Sequence, residues 1–99
     1  MTQPGLSLVL PVYNGGAFIA STLRETCQAL ESLDAGFELI VVCDGSTDDT
    51  AAQARSVQDA RVRVLDYMDN AGKGHAILHG LDQARGRLCL LYTSDAADE

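Results

Sequence analysis

The sequence predicts an α/β domain, a mainly parallel sheet with helices on both faces. Three observations carry this. Apolar stretches of strand length alternate with amphipathic stretches of helix length. The central one, Leu39-Ile40-Val41-Val42-Cys43, is apolar at every position, the pattern of a strand buried on both faces. Polar turns containing Asp, Asn or Gly follow the strands. Strands joined by helices of roughly 10 to 15 residues form βαβ units with right-handed crossovers.

Leu6 to Val12 is the first strand, with Pro11 near its end where no ladder donor is required, and Tyr13-Asn14-Gly15-Gly16 is the turn after it. A helix is predicted from Ala17, because Ile19, Leu23, Cys27 and Leu30 recur at spacings of three and four; Gly36 suits its C-terminal cap near Asp34-Ala35-Gly36. Glu38 to Cys43 is the central strand, ending at Asp44. Ser46 or Thr47 is placed to cap a second helix, Asp48 to Val57, whose first turn would hold Asp48 and Asp49 as partners of the helix dipole. Its alanine-rich sequence predicts shallow burial. Arg61 to Asp66 alternates polar and apolar residues, as an edge strand does. After a turn at Tyr67 to Gly72, a third helix runs from Lys73 or Gly74 to Ala84, with Ile77, Leu81 and Ala84 on its apolar stripe and Gly86 closing it. Leu88 to Tyr92 is a fourth strand.

Ninety-nine residues make one small domain. A net charge of −7, from 14 acids against 7 bases, argues against a nucleic-acid surface. Without a transmembrane run or signal peptide, the expectation is a soluble, cytoplasmic chain. Cys27, Cys43 and Cys89 have no CxxC spacing and are expected as small core residues, not as a disulfide or zinc framework.

The chemistry concentrates at three turns. Asp44 ends the buried strand, on the edge of an open α/β sheet where ligands sit. Its carboxylate followed by Gly45 can accept a hydrogen bond from a ligand such as a uracil or guanine ring; the plainer role is an Asx turn that caps the next helix. Asn14 offers the same two readings. In Asn70-Ala71-Gly72-Lys73-Gly74, a glycine pair around a lysine at a helix start fits either an anion such as phosphate or a simple turn. It is no Walker loop, since Tyr67 stands six before Lys73 and Gly74 follows it; Ile77 stands where a dinucleotide fingerprint needs a third glycine or alanine. His75 and His79 share a helix face, but with Ala76 between them and no third ligand they are assigned no metal.

Taken together, LPVYNGG, VVCDGSTDDT and NAGKGHAILHGLDQARG, over about residues 6 to 88, resemble in order and spacing the N-terminal half of family 2 glycosyltransferases. Polyprenyl- and dolichyl-phosphate sugar synthases look similar. The resemblance implies a truncated GT-A fold, Rossmann-like, and a nucleoside-diphosphate sugar as ligand. Carried over by position, it implies that Pro11, Val12, Tyr13 and Asn14 line the nucleotide, that Asp44, with Gly45 and Ser46, meets the base, and that Asn70, Gly72, Lys73 and Gly74 lie near ribose or phosphate. A sugar would pass to an acceptor such as a polyprenyl phosphate or a saccharide, in a parent enzyme that can act at the cytoplasmic membrane face.

Two departures accompany the resemblance. Cys43 stands where the family usually has a second acid. The family's acidic motif for a divalent metal, Mg or Mn, is expected beyond Leu88, and no catalytic residue or metal ligand is assigned here. Residues 89–99, CLLYTSDAADE, resemble a translated sequencing adapter and are expected to be a non-native tail after a domain of residues 1–88, with Asp95 and Asp98 only imitating the metal motif. This truncated chain is expected to be inactive. The alternative is a nucleotide-binding or regulatory α/β module without chemistry, such as a receiver domain with Asp44 as phosphoacceptor.

Overall fold

A computed structural model describes residues 4–91. The order is β1 (Leu6–Val12), α1 (Ile19–Leu30), β2 (Phe37–Asp44), α2 (Thr50–Arg55), β3 (Val62–Tyr67), α3 (Lys73–Gln83) and β4 (Leu88–Leu91). The four strands form one sheet in the order β3-β2-β1-β4, parallel throughout. The predicted α/β fold is therefore the observed one. The expectations at Tyr92, Asp95 and Asp98 lie outside the described residues.

β2 is buried along its whole length between β1 and β3, which accounts for its unbroken apolar run. Its odd-numbered residues Phe37, Leu39, Val41 and Cys43 face one core, shared with Leu6, Leu10 and Val12 of β1, Ile19, Leu23 and Cys27 of α1, and Ala54 of α2. Ile40 and Val42 face the other core, with Val9 of β1 and Ala76 of α3. The helices thus lie on both faces, as strand parity demands. The alternating β3 is an edge strand, as its sequence predicts.

Three local expectations are corrected. α3 buries Ala76 and Gly80, and packs Ala84 against the same core, whereas Ile77 is half-buried and Leu81 exposed. A side chain on Gly80 would run into the methyl groups of Val9 and Val42, so the helix approaches the sheet through its smallest residues. α2 starts at Thr50, so Asp48 and Asp49 precede its first turn, and neither Ser46 nor Thr47 caps it; Ser46, Thr47 and Asp48 bond across to another loop, and Asp48 also accepts the Thr50 N–H. Cys89 is exposed, while Cys27 and Cys43 are buried as expected. Burial pushes the Cys43 thiol up to about 11.

Beyond the first and last positions of α3, the chain is strapped to β2 by two buried carboxylates. Glu38, at the start of β2, accepts hydrogen bonds from Ser7 Oγ (2.6 Å) and the Arg85 N–H (2.7 Å) at Oε2, and from Arg63 Nη1 (3.1 Å) at Oε1. Arg63 also donates to the Gln83 carbonyl (2.7 Å). Burial raises the Glu38 pKa, but the bonds from Ser7, Arg85 and Arg63 outweigh it and hold the group below the ordinary carboxylate range. Asp44, at the other end of β2, holds the loop that enters α3.

Candidate functional site

The carboxyl ends of β1, β2 and β3 bring all three polar turns to one edge. The β1 turn is bound to the β2 turn by the side chains of Asn14, Ser46, Asp48 and Thr50. Asn14 sits in the left-handed region (φ 52°), which Asn tolerates better than most residues. Its N–H donates to Ser46 Oγ (3.0 Å), and its Oδ1 accepts the Thr47 N–H (2.7 Å). The Gly15 N–H donates to Thr50 Oγ1 (2.9 Å) and the Gly16 N–H to Asp48 Oδ2 (3.1 Å). Asp48 Oδ1 accepts the Thr50 N–H (3.0 Å) and the Thr50 hydroxyl. The Thr50 hydroxyl bond lowers the Asp48 pKa first, with the backbone donors adding to it. The string Ser46-Thr47-Asp48-Asp49-Thr50 therefore acts as a brace for the first turn.

The β2 turn is joined to the 70–72 loop through Asp44, which is 4% exposed. Its Oδ1 accepts the Tyr67 hydroxyl (2.7 Å) and the Ala71 N–H (2.9 Å); its Oδ2 accepts the Gly72 N–H (3.1 Å). The Asn70 amide donates to the Asp44 carbonyl (3.2 Å). Gly45 takes a left-handed conformation (φ 67°) and lies so close to the Asn70 backbone that any side chain would collide with it. Glycine is required here for both reasons. Both carboxylate oxygens of Asp44 already accept hydrogen bonds, which argues against it as a receiver-type phosphoacceptor, whose attacking oxygen must be free.

Of the residues marked out by sequence, Asn14, Asp44, Gly45, Ser46, Asn70 and Gly72 form one hydrogen-bonded or close-packed unit. Lys73 and Gly74 follow it as the exposed first residues of α3, and Tyr13 is exposed beside it. Val12 turns its side chain into the core on the α1 side, so it offers this edge only its backbone; Pro11 is half-buried. Tyr67 is the residue that sequence reasoning missed. It is the partner of Asp44 in the β2–β3 register, and its ring lies edge-on to His75 (5.4 Å between centroids) and His79 (5.6 Å). The two histidines are thus packed around an aromatic ring. Burial first, then the Asp44 carboxylate, pushes the Tyr67 phenol well above its usual range, so it remains a donor at physiological pH. The signal was parity: residues 63, 65 and 67 share the α3 face of β3.

No group of three or more His, Cys, Asp or Glu able to hold a metal is present among the described residues. No helix among them is long and apolar enough to cross a membrane.

Comparison with known proteins places these motifs. The family model described as glycosyl transferase family 2 matches residues 7–99. The chain is 39% identical over 101 residues to the dolichyl-phosphate beta-glucosyltransferase of Drosophila melanogaster, covering 93% of this chain and 31% of that protein. It is 33% identical to the undecaprenyl-phosphate 4-deoxy-4-formamido-L-arabinose transferase of Proteus mirabilis, covering 91% and 28%. Among solved structures, glucosyl-3-phosphoglycerate synthase from Mycobacterium tuberculosis, in complex with Mn2+, UDP and glucosyl-3-phosphoglycerate, superposes with a TM-score of 0.72 at 30% identity, covering 92% of this chain and 33% of that one. The chain thus spans about a third of the length of the relatives it matches. The architecture is that of the first part of a GT-A glycosyltransferase.

Proposed function

This chain belongs to glycosyl transferase family 2, and we propose that it supplies the nucleotide-binding part of an enzyme that transfers a sugar from a nucleoside diphosphate to a polyprenyl phosphate or a saccharide. One observation carries the reading: at the carboxyl edge of the sheet Asn14 is bonded to Ser46 and Thr47, just after Asp44, and Asp44 is bonded to Asn70, Ala71 and Gly72, so three turns far apart in sequence meet there. That edge is the ligand side of open α/β sheets. The names of the polyprenyl- and dolichyl-phosphate relatives and the UDP in the mycobacterial complex support the substrate classes.

In this proposal Asp44 accepts a base N–H, the Pro11–Asn14 segment flanks the base, with Tyr13 presenting its exposed ring, Gly45 lets the 70–72 loop close against the end of β2 and Ser46 braces the first turn. Asn70, Gly72, Lys73 and Gly74 face ribose or phosphate, with the Lys73 ammonium compensating charge on the diphosphate. A divalent metal, supported by the Mn2+ in the mycobacterial complex, would help the diphosphate leave. Its ligands and the general base belong to segments outside the described residues. The parent enzyme works at the cytoplasmic face of a membrane, where a polyprenyl phosphate presents its headgroup.

Calorimetric titration with UDP and GDP tests the assignment. Removing a charge-assisted hydrogen bond costs roughly 1.5 to 3 kcal/mol, so Asp44→Ala should lose tenfold affinity or more, roughly, for the preferred nucleotide. Equal affinities in the variant and the unaltered chain would refute it.

A further inference from the structure

Asp44 offers a ligand less than a free carboxylate would. An ionised carboxylate has about four acceptor positions, two on each oxygen. Oδ1 already receives Tyr67 and Ala71, and Oδ2 receives Gly72, so one position remains, on Oδ2. The backbone donors are fixed by the loop, and every residue type except proline would supply them. Tyr67 is the donor that depends on residue identity. It is aligned across from Asp44 by the strand register, and its ring packs roughly perpendicular to both His75 and His79.

We propose that Tyr67 determines base specificity: by filling the second acceptor position of Asp44 Oδ1, it leaves the carboxylate able to accept one hydrogen bond from a base, which suits the single ring N–H of uracil and not the paired ring N–H and exocyclic amine of guanine. Guanine presents two donors side by side and is bound fully by two carboxylate oxygens, each with a free position. Here its amine finds Oδ1 occupied, and an unpaired buried donor is the kind of penalty by which polar sites reject near-isosteres. Uracil places one donor between two carbonyls and asks for one acceptor. Tyr67 thus acts on the ligand through Asp44, as a specificity-determining positioning residue. The inference rests on the nucleotide-site reading above.

The test is calorimetric titration of the full 99-residue chain with UDP, N3-methyl-UDP, GDP and IDP, the last being GDP without its exocyclic amine. UDP should bind about tenfold or more tighter than N3-methyl-UDP and than GDP, and GDP no tighter than IDP. In Tyr67→Phe, the vacated Oδ1 position should accept the amine, so that GDP becomes about fivefold or more tighter than IDP while the UDP preference shrinks. Because the GDP-to-IDP ratio compares two ligands on one protein, a loss of stability alone does not move it. An unaltered chain that binds GDP tighter than IDP, or prefers GDP to UDP, overturns the proposal without any variant. Asp44→Asn separates the two levels. If it weakens UDP but Tyr67→Phe keeps the original GDP-to-IDP ratio, Tyr67 has no such role and the site reading stands. If Asp44→Asn leaves UDP affinity unchanged, or no nucleotide binds, the site reading fails and this proposal with it.

Discussion

Glu38 and Asp44 open and close the same strand, point to the same face, are 5% and 4% exposed, and each accepts three hydrogen bonds. They differ in the charge of their partners. Glu38 meets a guanidinium, Arg63, at 3.1 Å, whereas Asp44 meets a phenol and two peptide N–H groups, with no ion pair among the described residues. A buried carboxylate matched by a cation is electrostatically complete, and its removal strands the cation. One satisfied only by neutral donors keeps its charge available to a further donor. The two straps therefore both fix α3, but one is a closed joint and the other an open seat. In the proposed reading the amino edge of the sheet is the stability end and the carboxyl edge the ligand end.

Variants of the two carboxylates separate these roles. Glu38→Ala should have the largest effect on folding, about 3 kcal/mol or more in urea denaturation, because the mostly buried Arg63 loses its counter-charge and is left with Gln83 as a neutral partner; nucleotide affinity should be unchanged among molecules that remain folded. Asp44→Ala should cost less stability, about 1 to 3 kcal/mol, while taking the nucleotide affinity with it. If Glu38→Ala were the milder of the two in denaturation, the contrast between closed joint and open seat would be lost.

A smaller effect is expected midway between the straps. Gly80→Ala places a methyl group against Val9 Cγ1, and overpacking of about 1 to 3 kcal/mol should outweigh a helix-propensity gain of about 1 kcal/mol. A thermal melt that rises in Gly80→Ala would mean that α3 has room to move away from the sheet. Acid sharpens the comparison further. The folded Glu38 carboxyl lies below its ordinary value of 4.5. Its contribution is thus present above about pH 4.5 and is lost as pH falls through that value toward the folded one. Stability measured from pH 6 to pH 3 should fall more steeply in the unaltered chain than in Glu38→Gln.

Much of this was legible in the sequence because it follows from parity and punctuation. Leu6–Val12 is observed as predicted, the all-apolar β2 is the doubly buried strand, and Asp44 and Asn14 mark the ends of strands. What was not legible depends on the distance between elements. Periodicity weighs Ile77 and Leu81 above Ala76 and Gly80, yet close approach of α3 to Val9 and Val42 favours the residues with least side chain. Ser46, Thr47 and Asp48 look like the start of a helix because such residues do cap helices; the neighbouring turn at Asn14 to Gly16 claims them first. Tyr67 read as turn because its value lies in pairing with Asp44, a matter of register and not of local propensity.

The most direct measurement of the division between the two edges is amide chemical-shift mapping of the isotope-labelled chain during titration with UDP. We expect perturbations at the amides of Val12 to Gly16, Asp44 to Thr47 and Asn70 to Gly74, with the amides of Leu6, Ser7, Glu38, Arg63 and Arg85 unmoved. Shifts clustered around Glu38 and Arg63, with Asp44 and Gly72 silent, would contradict the account.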